Sequence, residues 1–272
     1  MPLYQAIVLA IVQGLTEFLP VSSTAHLVLF PWLLGWNDPG LTFDVALHAG
    51  TLVAVAVYFR RLWFRMVGAA LGHGASTDTA RLERRLFWFL VIGTIPGAIV
   101  GMLLERAVEE KFRQPWLIGM SLIVVGILMW AGDRAESHEK PLERTSLADS
   151  LWIGAAQAFA IVPGVSRSGA TMTAGLFRGL TREASARFSF LLATPIITGA
   201  VLVKGFELRH TGLAADMRLP FVAGIVVSGL VGYLVIAFLM RYLAHRTFKI
   251  FVIYRVALGV IVLATGWFLL HA

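Results

Sequence analysis

The sequence predicts an all-α polytopic membrane protein with six transmembrane helices and two re-entrant helix hairpins arranged as an inverted repeat. Of the 272 residues, 58% are hydrophobic and only 14% are charged, whereas soluble domains carry about 25% charged residues. Six apolar segments are long enough to cross a bilayer, and polar residues break two others near their middle. This hydrophobicity excludes a soluble DNA-binding or signalling module.

The six membrane-crossing segments are predicted by length and apolar composition, since a crossing needs about 20 mostly apolar residues. They lie at roughly 42–59, 86–104, 116–132, 186–203, 219–240 and 250–271. No polar linker separates them, so residues 1–272 are expected to form a single membrane domain. The N-terminal residues lack a basic stretch and a cleavage site, so no removable signal peptide is expected.

The two broken stretches, 3–35 and 149–178, are predicted to be re-entrant hairpins. Each piece on either side of the break is too short to span the membrane alone. Irregular backbone at membrane depth is tolerated only where protein or a watery cavity surrounds it.

The distribution of Lys and Arg predicts the orientation, because cytoplasmic loops carry an excess of these residues. One group of segments, the two termini and the loops 105–113 and 204–218, holds six Lys or Arg. The second group, the loops 60–85, 133–148, 178–187 and 241–249, holds fifteen. The second group is therefore expected in the cytoplasm, with both termini outside. This topology also accounts for the net charge of +7, so no nucleic acid partner is expected.

An internal repeat relates the two broken stretches. Gln13 and Val21-Ser22-Ser23 have the same spacing as Gln157 and Val165-Ser166-Arg167, an offset of 144 residues. The halves, about 1–132 and 149–272, would be joined by the cytoplasmic loop 133–148. Three crossings per half invert the second half, so the two breaks are expected to meet at one binding site near the middle of the membrane.

The first break begins with Gln13 and Glu17, which are four residues apart and so share a helix face. A carboxylate in the middle of a membrane costs about 2.5 to 3.5 kcal/mol, so it usually faces a partner or a cavity. Glu17 is therefore a candidate functional residue. The alternative is a structural carboxylate paired with a cation or an amide.

The same break continues with Pro20, which ends the helix, and with hydroxyls that can cap the next one. His26 follows Ser23 by three residues and so lies on the same side of the new helix. Ser23 is thus a candidate nucleophile and His26 a candidate general base. Helix capping by Ser22 or Ser23, and a buried hydrogen-bonding role for His26, are the alternatives.

The second break, 163–171, has the composition of an anion site. Its glycines permit close backbone approach, and the following helix would present free amides. Arg167 offers a planar guanidinium suited to phosphate, or alternatively an ion pair with Glu17 across the repeat axis. The candidate phosphate-binding residues of both breaks are Gln13, Ser22, Thr24, Ser166, Ser168, Gly169 and Thr171.

A nucleophile, a base, a carboxylate and an anion clamp together suit phosphoryl transfer. Ser23 would attack phosphorus with help from His26 while Arg167 holds the anion. Direct attack by a water that His26 activates fits equally well. A transporter or flippase for an anionic or phosphorylated lipid is the alternative from another class, because inverted repeats with broken helices are also found in transporters.

Four segments make the chain resemble the undecaprenyl-diphosphate phosphatases of the bacitracin-resistance type over nearly its whole length. They are 13–26 (QGLTEFLPVSSTAH), 43–51 (FDVALHAGT), 163–171 (PGVSRSGAT) and 188–193 (FSFLLA). The resemblance implies that a C55 prenyl diphosphate is hydrolysed to the monophosphate and inorganic phosphate in the bacterial plasma membrane. This reaction recycles the lipid carrier of cell-wall synthesis. The family's catalytic roles carry over to Glu17, Ser23, His26 and Arg167, with Thr24, Ser166 and Ser168 nearby.

The resemblance also implies a divalent cation, Mg²⁺ or Ca²⁺, with Glu17 as its candidate ligand. Many members have Glu where this chain has Gln13, which leaves one carboxylate in that pair, and Ala25 replaces a common Gly. The expected partners are a long-chain prenyl diphosphate lipid and the bilayer, and a homodimer is one alternative for the oligomeric state. The site is expected to open to the periplasmic or outer face, from which the Ser23 hairpin enters.

Overall fold

The computed structural model describes residues 1–74, 77–107, 112, 114–135 and 138–271, with the backbone only in 105–107 and 267–271. Within these ranges the chain forms eleven α-helices, short 3-10 turns and an isolated bridge between Lys140 and Leu180. The helices are α1 (Leu3–Phe18), α2 (Ser23–Leu34), α3 (Leu41–Tyr58), α4 (Arg60–Ala70), α5 (Asp78–Ala107), α6 (Pro115–Asp133), α7 (Leu147–Ala158), α8 (Arg167–Phe177), α9 (Arg182–Thr211), α10 (Ala215–Leu243) and α11 (Lys249–His271).

Six helices are long and apolar enough to cross a membrane: α3, α5, α6, α9, α10 and α11. The predictions of an all-α fold and of six helices able to cross a membrane are therefore confirmed for the described residues, and the chain is a multi-pass membrane protein. Five of the six helices are longer than the predicted apolar segments, and α3 has the predicted length; α5 begins at Asp78 and α9 continues to Thr211. Hydropathy marks only the apolar part of a helix, whereas the hydrogen-bonded backbone continues through its polar ends.

The prediction of a loop at 60–85 was wrong, because this segment contains α4 and the first turns of α5. Arg61 and Arg65 lie on one side of α4, and Trp63, Phe64 and Val67 lie on another together with Arg60. A basic amphipathic helix of this kind has the character of a helix that lies at a membrane surface. The predicted loop 105–113 lies mostly outside the described residues.

Both broken stretches form pairs of short helices joined by turns. α1 ends at Phe18, before Pro20, and α2 begins at Ser23. In the second stretch α7 ends at Ala158, and a 3-10 turn precedes Pro163 and α8. Proline cannot donate a backbone hydrogen bond, which favours the end of a helix at each of these places.

The two turns reach their second helix through the same backbone conformation. Ser22 and Ser166 are the residues of the described chain, other than glycine, with positive φ, at 76° and 71°. Each is the N-cap of its helix, and its hydroxyl accepts a hydrogen bond from the backbone amide three residues later. Such backbone conformations cost about 1 to 3 kcal/mol and are found mainly at functional sites.

The long helices pack closely through small residues. α10 packs against both α1 and α3, and α5 packs against α7. The Ser228 hydroxyl of α10 donates to the Leu47 carbonyl of α3 at 2.8 Å, and a side chain on Gly50 would overlap the Ile225 carbonyl and Ser228. Small residues let helix backbones approach in a membrane, where packing rather than the hydrophobic effect holds helices together.

Asp149, at the start of α7, connects the segment before α7 with the end of α8. Its buried carboxylate accepts hydrogen bonds from Lys140, from Ser146 and from Arg178, which lies at 2.8 Å. Burial by itself raises the pKa of Asp149, but these hydrogen bonds outweigh burial and lower the pKa from its ordinary value to about 2. The carboxylate therefore stabilises the fold when it is ionised.

We predict that Asp149→Asn lowers the free energy of unfolding by about 2 kcal/mol at neutral pH. Because the pKa of Asp149 is depressed in the folded protein, its stabilisation is present above the ordinary pKa and is lost as the pH falls toward 2. Unfolding of wild type and variant in one detergent, measured from pH 7 down to the acid limit, should show the difference shrinking. Asp216→Asn, at an exposed position in α10, is the matched control, and a difference that does not vary with pH would contradict the prediction.

Candidate active site

The two broken stretches meet at the carboxylate of Glu17, in the last turn of α1. Its Oε1 accepts a hydrogen bond from Arg167 Nη2 at 2.6 Å, so the expected ion pair between these residues is present. Its Oε2 accepts from Ser23 Oγ at 2.6 Å and from Gln13 Nε2 at 3.1 Å. The buried carboxylate therefore links the first residue of α2 to the first residue of α8.

His48 of α3 is a further partner of Glu17. Its Nε2 lies 3.2 Å from Glu17 Oε2, and its Nδ1 lies 2.7 Å from the carbonyl oxygen of Asp44. A carbonyl and a carboxylate both accept hydrogen bonds, so this geometry requires a proton on each ring nitrogen and makes His48 an imidazolium. Glu17 thus has two cationic partners, Arg167 and His48.

His26 has partners other than Ser23. Its Nδ1 lies 2.6 Å from the carbonyl oxygen of Ser22, one helical turn earlier, and its Nε2 lies 2.7 Å from the hydroxyl of Tyr254 in α11. The Tyr254 ring also stacks on the imidazole, with a centroid distance of 5.7 Å. The spacing of Ser23 and His26 places both on one side of α2, but the Ser23 hydroxyl donates to Glu17 instead.

The hydroxyls of the second break hold the site together. Ser168 Oγ lies 3.1 Å from the carbonyl oxygens of both Glu17 and Leu19, so it satisfies the end of α1. Thr171 Oγ1 donates to the Arg167 carbonyl at 2.7 Å and lies 2.6 Å from Ser189 Oγ. These contacts position Arg167 beside Glu17.

The starts of α2 and α8 keep groups available for an anion. The backbone amides of Ser23, Thr24, Arg167 and Ser168 donate no hydrogen bond within the described part of the chain, as is usual for the first turn of a helix. Such amides lie at the positive end of the helix dipole and favour phosphate. Ser22 and Ser166 bond their helices' third amides, those of Ala25 and Gly169.

Arg255 of α11 connects the turn before α2 with the turn before α8. Its Nη1 donates to the Pro20 carbonyl at 3.0 Å, and its Nη2 donates to the Gly164 carbonyl at 2.7 Å and the Val165 carbonyl at 3.1 Å. It also donates to the backbone of α6, through the carbonyls of Ser121 and Leu122. The side chain is completely buried, with 0% of its surface exposed.

Gly164 fits this arrangement because of its backbone and its lack of a side chain. Its φ is +94°, and a Cβ would lie 2.6 Å from the Ile118 carbonyl of α6. A larger residue would push the second turn away from α6 and from Arg255.

Three site residues were missed by sequence analysis: His48, Tyr254 and Arg255. An ionisable residue inside a membrane segment is a functional candidate by default, and this rule alone would have selected His48 and Arg255. Tyr254 lies 228 positions from His26 and has no local sequence signal.

The arrangement around Glu17 does not fit a resident divalent cation. Mg²⁺ and Ca²⁺ bind several oxygen ligands, mainly carboxylates and carbonyls. Among the described residues there is no group of three or more His, Asp or Glu side chains that could hold a metal ion. Glu17 is already paired with Arg167 and His48, both of which would repel a cation. Gln13 Oε1 is buried without a hydrogen-bond donor in the described structure, and it is a single neutral ligand.

Comparison with known proteins shows the family of this chain. Residues 6–261 match the family described as Bacitracin resistance protein BacA. The chain belongs to this family. It is 52% identical to the undecaprenyl-diphosphatase of Pelotomaculum thermopropionicum over 98% of both chains. It is 48% identical to the protein of that name from Moorella thermoacetica, over 98% of this chain and 99% of the relative. The match with the Desulforudis audaxviator protein is 52% over 96% of both.

We predict that Glu17 and His48 of this BacA-family chain are energetically coupled. Glu17→Gln leaves two partly buried cations without their carboxylate, so the additional loss of unfolding free energy on His48→Gln should be smaller than in wild type. A double-mutant cycle of unfolding free energies in one detergent should give a coupling of at least about 1 kcal/mol.

The matched control for this cycle replaces the exposed His73 by Gln together with Glu17→Gln. Its effects should add to within about 0.5 kcal/mol. Additive effects for the Glu17 and His48 pair as well would contradict an ion pair between them.

Proposed function

We propose that this protein is an undecaprenyl-diphosphatase, which hydrolyses undecaprenyl diphosphate to undecaprenyl phosphate and inorganic phosphate. Recycling of this lipid carrier would confer bacitracin resistance. Membership of the BacA family and the names of relatives about 50% identical support this activity. The observation that carries it is the contact of one buried carboxylate, Glu17, with both a hydroxyl and a guanidinium at the starts of two helices.

The first step of the proposed reaction is binding of the diphosphate between the starts of α2 and α8. Arg167 donates one N–H to Glu17, and its other donors can bind phosphate oxygens together with the free amides of both helices. The prenyl chain stays among the transmembrane helices. Phosphate charge competes with Glu17 for Arg167, so substrate binding weakens the attraction between Arg167 and the carboxylate.

In the second step Ser23 Oγ forms a bond to the terminal phosphorus, and the bond from phosphorus to the bridging oxygen breaks. Undecaprenyl phosphate leaves, and the Ser23 proton passes to Glu17, whose Oε2 already accepts it at 2.6 Å. A water oxygen then forms a bond to phosphorus and the bond from phosphorus to Ser23 Oγ breaks. The proton held by Glu17 returns to Oγ, which restores the hydroxyl, and inorganic phosphate leaves. This assignment gives Glu17 the role of base that the sequence suggested for His26.

Direct attack of water on the terminal phosphorus is the second proposed mechanism. Neutral His26 with a proton on Nδ1 has its lone pair on Nε2, beside the Tyr254 hydroxyl. This nitrogen can accept a proton from a water that replaces the tyrosine. The water oxygen then forms the bond to the terminal phosphorus, and the bond from phosphorus to the bridging oxygen breaks. In that case Ser23 contacts the phosphate without forming a covalent bond to it.

We propose that 3–35 and 149–178 are re-entrant hairpins of an inverted repeat with halves about 1–132 and 149–272. Ser22 and Ser166, 144 residues apart, share their positive φ and their capping role. The packing also follows the offset, since α1 contacts α10 as α7 contacts α5. The excess of Lys and Arg supports cytoplasmic loops in the plasma membrane, with the site opening to the outer face.

The divalent cation stays a prediction from the family resemblance, and no step above uses it. The homodimer also stays a prediction.

We predict that purified protein releases phosphate from a long-chain prenyl diphosphate and that Ser23→Ala lowers kcat at least 10³-fold. A rapid quench with substrate labelled in its terminal phosphate should trap label on Ser23. Ser185→Ala is the matched control, because Ser185 is a buried serine in α9 whose hydroxyl has no hydrogen-bond partner in the described structure; it should keep near-wild-type turnover.

Two other outcomes would redirect the proposal. Near-wild-type turnover by Ser23→Ala, with a large loss in His26→Gln, would replace the phosphoserine by direct water attack. Binding of the prenyl diphosphate without release of phosphate would contradict the phosphatase and favour a transporter.

A further inference from the structure

A cavity of about 670 Å³ opens at the C-terminal end of α3. Its walls come from the end of α3, from α4, from the first turns of α5, from the 3-10 turn Leu142–Arg144 and from α9. His48 and Tyr58, which lines the cavity, are ten residues apart on α3, or about 15 Å along a helix. This cavity is therefore separate from the candidate active site.

Five arginines line the cavity: Arg60, Arg61, Arg65, Arg85 and Arg187. We call it the arginine cavity. Glu83 and Glu143 are the acidic residues of its lining. Five guanidinium groups and two carboxylates leave an excess of positive charge at one end of the membrane-crossing helices α3, α5 and α9.

The arginines of the cavity have few anionic partners. Arg65 pairs with Glu83 at 2.6 Å, whereas Arg187 Nε lies 3.6 Å from Glu183 and has no hydrogen-bond acceptor in the described structure. Arg85 lies over the Phe89 ring at 5.5 Å. For Arg61 the described residues provide no partner. Guanidinium groups without an anionic partner have donors available for hydrogen bonds to the oxygens of a phosphate group.

An apolar cleft of about 350 Å³ adjoins the arginine cavity across Arg60, which lines both. Its other walls are Ala56, Trp63, Phe64, Val67 and Thr194. The indole nitrogen of Trp63 is buried and has no acceptor among the described residues. Tryptophan is typical of the membrane interface, where its ring contacts acyl chains and its N–H meets polar headgroups. The cleft therefore suits an apolar chain whose polar end reaches the arginines.

We propose that the arginine cavity and this cleft form a binding site for an anionic phospholipid. The phosphate lies against Arg61 and Arg187, and an acyl chain occupies the cleft beside Trp63. A basic pocket between transmembrane helices, flanked by an amphipathic helix, is the arrangement that binds anionic lipid headgroups. A bound lipid would fix α4 against α5 and α9. The site is independent of the proposed hydrolysis.

Lipid binding to wild type and variants, measured by native mass spectrometry from a neutral detergent, tests this site. The double variant R61Q/R187Q removes the two least satisfied guanidinium groups. The matched control R84Q/R144Q removes two exposed arginines of the same region that do not line the cavity. Wild type should bind phosphatidylglycerol at least about tenfold more tightly than phosphatidylcholine. This preference should disappear in R61Q/R187Q and remain within twofold in R84Q/R144Q.

Three results would overturn the proposal. The first is equal binding of the two lipids by wild type, and the second is an equal loss of preference in both double variants. The third is a thermal stabilisation by inorganic phosphate alone that matches that by phosphatidylglycerol and is lost in R61Q/R187Q, which would identify a site for soluble anions. Unfolding in lipid-free detergent should give the same midpoint for wild type and both double variants, so that a folding defect is not mistaken for lost binding.

Discussion

One buried guanidinium, that of Arg255, holds the two broken helices at a common point. It donates to five backbone carbonyls, which belong to the first turn, to the second turn and to α6. Every helix break at membrane depth exposes carbonyls that lipid cannot satisfy. A buried cation is equally costly unless it is hydrogen-bonded. Arg255 and the broken helices therefore stabilise each other, and neither arrangement would be stable without its counterpart.

The geometry of the candidate site follows from this constraint. Because both turns are fixed, the starts of α2 and α8 point toward one carboxylate, and Glu17 contacts Ser23 and Arg167 together. Ser168 adds a direct link by hydrogen bonds to the end of α1. The positive φ at Ser22 and Ser166 is maintained by their capping hydrogen bonds. The polar site is thus assembled from backbone ends that an uninterrupted helix would not offer.

Much of this organisation could be predicted, because it depends on local patterns. Six apolar segments gave six crossings, and Pro20 and Pro163 marked the breaks. The pair of Glu17 with Arg167 could be predicted from the repeat, since both charges are isolated in apolar surroundings. The contact of Ser23 with Glu17 rather than with His26 could not, because helical spacing specifies a side but not a rotamer.

Other features depend on residues far apart in the chain. Arg255 lies 235 positions from Pro20. No local pattern indicates that a cation in the last helix donates hydrogen bonds to the carbonyls of both turns. His48 and Tyr254 come from separate helices whose packing decides their partners. α4 was predicted as a loop because its arginines lower the average hydropathy of the segment, although one face of the helix is apolar. Sequence therefore located the breaks and most of the polar residues, whereas tertiary packing decided their contacts.

The substitution Arg255→Met tests the central claim most directly, because it keeps an apolar side chain of similar length and removes every donor. Unfolding in detergent and phosphate release from a prenyl diphosphate should be measured on the same preparation, with the exposed Arg246→Met as control. The account predicts a loss of at least about 3 kcal/mol in unfolding free energy. It also predicts a large fall in turnover that Arg255→Lys does not restore, since one ammonium has only three donors. Wild-type stability and turnover in Arg255→Met would show that the two turns meet without this guanidinium, and would contradict the account.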